Sequence, residues 1–131
     1  MDIRVAENRE AMKITERTFR FSVRVVNGCR FLEKQGHVSR TLAGQLLRSG
    51  TSIGANVEEA QAGQSKPDFI SKMSIACKEA RETHYWLRLL IASDVIEESK
   101  ISDLSKEADE LVRILSTIVK SSRTGKIDFE T

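Results

Sequence analysis

The chain has 131 residues, 40% of them apolar and 31% charged, with a formal net charge of +2 at pH 7. That length suits one domain. A chain of this size buries roughly two-thirds of its surface on folding, so its core needs neither metal nor disulfide. The near-balanced charge excludes a bulk electrostatic pull toward nucleic acid or membrane.

Apolar residues recur at spacings of three and four along four segments, the signature of amphipathic helices. The spacing predicts a first helix over about 12–34, with Ile14, Thr18, Phe21, Val25, Gly28 and Leu32 on one stripe. The loop QGHVS follows, with Gly36 as a stop and Ser39 as a candidate N-cap. A second helix is expected over about 40–62, its stripe running through Leu42, Leu46, Ser49, Ile53, Asn56 or Val57, and Ala60. Ser65-Lys66-Pro67-Asp68 reads as the start of a third helix, over about 66–92. Serine caps, proline is tolerated in a first turn, and an aspartate there faces the positive end of the helix dipole. Its stripe is Phe69, Met73, Ala76, Ala80, Thr83, Leu87 and Leu90. After a short break at Ser93-Asp94, a fourth helix over about 98–122 places Ile101, Leu104, Ala108, Leu111, Leu115 and Ile118 in register, and the tail, 123–131, is expected to be loose. Amphipathic segments of this length with short connections imply antiparallel neighbours, hence an all-α, up-down-up-down four-helix bundle forming a single domain.

The block RSGTSIGANVEEA in the second segment invites a phosphate-loop reading. Such a loop needs G-x-x-x-x-G-K-[ST] after a strand. Here Gly50 and Gly54 are one residue too close, no lysine follows, and the preceding LAGQLLR is helical in pattern. Leu42, Leu46, Ile53, Val57 and Ala60 keep phase on both sides of the glycines, so the block is helix and not linker. Each interior glycine costs about 1 kcal/mol against alanine. Close packing can offset that cost: at about 100° per residue, Ala43, Gly50 and Gly54 form a bare face beside the main stripe, where a neighbouring helix can approach. Asn56 sits at the stripe edge, and its amide needs partners if buried.

QLLRSGTSIGANVEEA followed by KPDFISKMSIACKEARETHYWLRLL resembles the four-helix bundle proteins first noticed as reading frames in intervening sequences of bacterial 23S ribosomal RNA genes. The likeness runs from the first helix to LVRILSTIVKS. It implies a left-handed bundle that assembles as a ring, commonly a homopentamer, with no established catalytic or cofactor-binding residue. A related branch is the accessory protein of diversity-generating retroelements, strongly basic and thought to bind nucleic acid and a reverse transcriptase. The +2 charge of this chain departs from that pattern.

Three surfaces carry functional expectations. Phe19, Val23 and Val26 add a second apolar stripe to the first helix, and Ile75 and Trp86 lie off the main stripe of the third. These five are candidate subunit-interface residues, because helices at a surface usually show a narrower apolar arc. Lys13, Arg17, Arg20 and Arg24 make a basic stripe on the first helix that is either a solvated face or a contact for nucleic acid or an acidic protein partner. The fourth helix region is acidic instead, with Glu97, Glu98, Asp103, Glu107, Asp109 and Glu110.

Enzyme signatures are weak. Di-iron bundles need paired E-x-x-H motifs, yet Lys34 and Arg81 stand three residues before His37 and His84. The pair Glu79 and Glu82 has a spacing that helices supply routinely. Cys29 and Cys77 lack metal-ligand spacing and read as buried thiols of a reducing compartment. MDIRVAENRE has no apolar leader core, and no run approaches the ~20 apolar residues of a membrane span. The expectation is therefore a cytoplasmic, non-enzymatic, self-associating scaffold or adaptor without cofactor, metal or membrane partner. The alternative is an RNA- or DNA-binding accessory factor using the basic stripe.

Overall fold

The computed structural model describes the backbone of residues 3–125 and the side chains of residues 14–125. Four helices occur in order: α1 (Ile3–Glu33), α2 (His37–Gln61), α3 (Lys66–Ala92) and α4 (Glu98–Arg123). The connections span only residues 34–36, 62–65 and 93–97, so successive helices reverse direction and form an up-down-up-down bundle. Each helix packs closely on the next, whereas α1 and α4 approach one another sparsely.

The core follows the heptad phase. Phe21, Val25 and Leu32 of α1 meet Leu46, Ile53 and Val57 of α2, Met73, Leu87 and Leu90 of α3, and Leu111 and Leu115 of α4, all almost fully buried. Removal of such side chains from water at about 25 cal/mol per Å² is the main drive for assembly. Some details of the expected stripes shift. On α1 the buried residue is Cys29 and not Gly28; on α4 it is Val119, with Ile118 only partly covered; on α2 it is Ala43, with Leu42 only partly covered; and Phe69 of α3 is only partly buried. Of the two α2 alternatives, Val57 is the buried one and Asn56 is half-buried. A straight helix drifts against a strict seven-residue repeat, so a stripe moves over by one residue along six or seven turns.

α1 begins nine residues before the expected start at residue 12, and α2 begins at His37 instead of 40. Ser39 is therefore no N-cap. It lies buried in the first turn of α2, where its hydroxyl donates to the Leu32 carbonyl at 2.6 Å. That carbonyl, one of the last four of α1, also accepts the Gln35 amide at 3.0 Å, so the end of α1 is closed from both sides. Gly36 occupies the cap position with φ of +121°, a conformation that side chains with a Cβ rarely adopt. Ser65 caps α3 by accepting from the Asp68 amide at 3.2 Å, with Pro67 in the first turn. Ile96, in the last connection, is buried under the bundle end although no helical period marks it. The tail expected to be loose lies outside the described residues from 126 onward; residues 123–125 include the last residue of α4.

Candidate interaction surface

The small-residue face of α2 packs on α1. Gly50 faces Val25 so closely that a Cβ there would sit 2.8 Å and 2.9 Å from the two valine methyls. At Gly54 it would lie 3.1 Å from the Thr18 carbonyl oxygen and 3.3 Å from Ser22 Oγ. Ala43 completes the contact, and its carbonyl accepts from the Cys29 thiol at 3.4 Å. Burial pushes that thiol up to about 11, with the nearby Glu33 carboxylate adding to the rise, which keeps it protonated and poorly nucleophilic. Asn56 Nδ2 donates to the Ser52 carbonyl at 2.8 Å, within its own helix.

Close approach of two helices leaves little room for large side chains in the seam, so those beside it stand outside. Phe19 is 60% exposed, Val23 45% and Leu47 of α2 40%. Phe19 also lines a shallow recess of about 250 Å³ with Ser22, Thr51, Gly54, Ala55 and Glu58. Val26, by contrast, is partly covered. On α3, Ile75 is 38% exposed, whereas Trp86 packs against the core and donates its indole N–H to Glu82 Oε2 at 3.0 Å. α1 and α3 are not packing neighbours, so the five residues form two separate patches.

Polar contacts on the α2–α3 side involve Arg48. It pairs with Glu82 and lies 3.5 Å from Glu79 Oε2, a buried oxygen that accepts no hydrogen bond. Beneath them Thr83 Oγ1 donates to the Glu79 carbonyl at 2.7 Å and stands 2.9 Å from Ser49 Oγ. Glu79 and Glu82 are thus tied to an arginine and an indole, an arrangement that positions helices.

The basic stripe of α1 is largely committed to acids. Arg17 crosses to α4 and grips Glu107 through two hydrogen bonds, of 2.6 Å and 3.2 Å, with Glu110 at 3.3 Å. The bond to Glu107 holds the Arg17 guanidinium above its ordinary pKa. This fork spans the loosely packed α1–α4 seam. Arg20 pairs with Glu16 one turn back, and Arg24 is exposed. The Lys13 side chain lies outside the described residues. Sequence reasoning missed Glu107 as a partner because residues 90 apart carry no mutual pattern. Among the described residues no three His, Cys, Asp or Glu side chains converge to hold a metal, and no helix is long and apolar enough to cross a membrane.

The 23S rRNA-intervening sequence protein model matches residues 10–117. The chain belongs to that family. A solved structure of a protein of unknown function from the S23 ribosomal protein family of Bacteroides thetaiotaomicron is 40% identical, covers 84% of this chain and 97% of its own, and superposes with a TM-score of 0.77. A search of curated proteins found no match. The matched span of this 23S rRNA-intervening sequence family chain includes α1 from residue 10 onward, all of α2 and both apolar patches.

Proposed function

We propose that this family member is a non-enzymatic, self-associating helical scaffold or adaptor of the cytoplasm. The observation that carries this reading is the exposed apolar patch of Phe19, Val23 and Leu47 beside the α1–α2 seam. Apolar patches at a surface mark contacts when they are contiguous and rimmed by polar residues, and Thr51 and Glu58 supply such a rim. Ile75 supplies a second, separate patch on α3. Two different patches suit heterologous contacts, which close into a ring when the rotation allows; five is the subunit number that the family resemblance implies.

Light scattering tests the reading directly. The protein runs as an oligomer at micromolar concentration, and Phe19→Asp combined with Val23→Asp dissociates it while helical circular dichroism stays unchanged. A monodisperse wild-type monomer refutes the proposal. The nucleic-acid reading has less support, since Arg17 and Arg20 already face carboxylates and only Arg24 of the described stripe has no acidic partner.

A further inference from the structure

The groove between α3 and the last turns of α4 differs in charge from the rest of the bundle. It holds about 410 Å³, and its polar walls are Ser74 and Arg81 of α3 with Ser116, Lys120 and Arg123 of α4. Among the described residues three cations line it and no carboxylate does. Arg17, Arg48 and Arg113, elsewhere on the bundle, face Glu107, Glu82 and Asp109. The two arginines of the groove meet hydroxyls instead. Arg81 donates to Ser116 Oγ at 3.3 Å, and Arg123 donates to Ser74 Oγ at 3.4 Å. Cys77 and Val119 form a buried floor, which lowers the local dielectric and strengthens any charge placed above it.

Helix-end electrostatics account for part of this arrangement. Lys120 and Arg123 complement the negative end of the α4 dipole. That explanation does not reach Arg81, which projects from the middle of α3. Nor does it explain why the fourteen residues 112–125 contain Arg113, Lys120 and Arg123 but no acid.

The spacing suggests the shape of the ligand. Arg123 anchors beside Ser74 and Arg81 beside Ser116. Ser74 and Arg81 are seven residues apart on α3, so the cations spread over roughly 10 Å at 1.5 Å per residue. A single phosphate covers less than that length, whereas a chain of linked phosphoryl groups fills it. Guanidinium forks and an ammonium are the groups that bind phosphoryl oxygens, and the serine hydroxyls add neutral donors. We propose that the α3–α4 groove is a binding site for an oligophosphate, either free or as the phosphate chain of a nucleotide.

Calorimetry and amide chemical shifts test the site on the whole chain, with sodium tripolyphosphate, ATP and orthophosphate as ligands. Tripolyphosphate binds at one site per chain, at least about tenfold more tightly than orthophosphate, and the shifts cluster at 74–81 and 116–124. Arg81→Gln and Lys120→Gln each weaken it by about tenfold or more, the scale of a lost charge-assisted contact. Arg40→Gln and Arg88→Gln, exposed cations outside the groove, leave it unchanged. Equal affinity for ATP and tripolyphosphate supports recognition of the phosphate chain alone; tighter ATP supports a nucleotide as its source. The proposal is overturned if tripolyphosphate does not bind, if only an RNA oligonucleotide does, or if the control variants weaken binding as much as Arg81→Gln.

Discussion

Alanine placed at different glycines of the same helix should change stability in opposite directions. Gly44 is exposed and its added Cβ would meet nothing within 4 Å. Gly44→Ala therefore realises the propensity gain of about 1 kcal/mol and stabilises the protein. At Gly50 the same gain is opposed by contacts of 2.8 Å and 2.9 Å with the Val25 methyls. Carbon atoms prefer about 3.5–4.0 Å, so the helices must separate by several tenths of an ångström or more. Val25 cannot swing aside, because it is fully buried and a β-branched side chain in a helix has one strongly preferred χ1 rotamer. Overpacking of this kind costs about 1–3 kcal/mol. The net expectation is destabilisation by up to about 2 kcal/mol, which lowers Tm by several degrees in a chain of this size. Gly54→Ala falls between the two, since its nearest contact is the Thr18 carbonyl oxygen at 3.1 Å. Urea denaturation at one fixed protein concentration measures all three, because an assembling protein's apparent stability depends on concentration. Shortening the opposing residue completes the cycle: Gly50→Ala is better tolerated in a Val25→Ala background, by an interaction energy of about 1 kcal/mol or more. If Gly50→Ala stabilises as much as Gly44→Ala, the α1–α2 seam is not a close contact.

Glu107→Gln removes the charge that Arg17 grips across the α1–α4 seam, and costs about 1 kcal/mol or less, since partly exposed pairs are worth little; a chemical denaturation series in rising salt should shrink that cost. Ser65→Ala removes the acceptor that caps the first turn of α3 and destabilises by about 1 kcal/mol; the same urea titration reads the loss, and Ser65→Asp, which restores an acceptor, should recover most of it. Cys29 has a folded-state pKa raised from 9.0 to about 11, so the fold favours the protonated thiol. The stability tied to it is fully present below pH 9 and is lost as pH rises through about 11. The advantage of wild type over Cys29→Ala should therefore shrink between about pH 9 and pH 11, and a constant difference refutes the assignment.

Much of this fold was legible in the one-dimensional pattern, because a helix buries the side chains that its own period places on one face. Met73, Ala76, Ala80, Thr83, Leu87 and Leu90 needed no knowledge of what lies opposite to be assigned inward, and all six are buried. Ser65 was readable as a cap because capping is a contact between residues three apart. The face of Ala43, Gly50 and Gly54 was visible as a gap in side-chain bulk, though its partner on α1 was not.

Features that depend on how one helix is rotated against another required the tertiary structure. Whether Gly28 or Cys29, and Ile118 or Val119, turns inward depends on drift accumulated over many turns. Ser39 became a buried donor to Leu32 only because α2 starts at His37 and folds back on α1. The basic stripe looked free along the chain, yet Arg17 meets Glu107 across a seam between the first helix and the last. The α3–α4 groove likewise gathers Arg81 with Lys120 and Arg123, which stand too far apart in sequence for any periodicity to associate them. Local period selects which residues are buried; the azimuth of each helix, set by packing among all four, selects which surface charges meet.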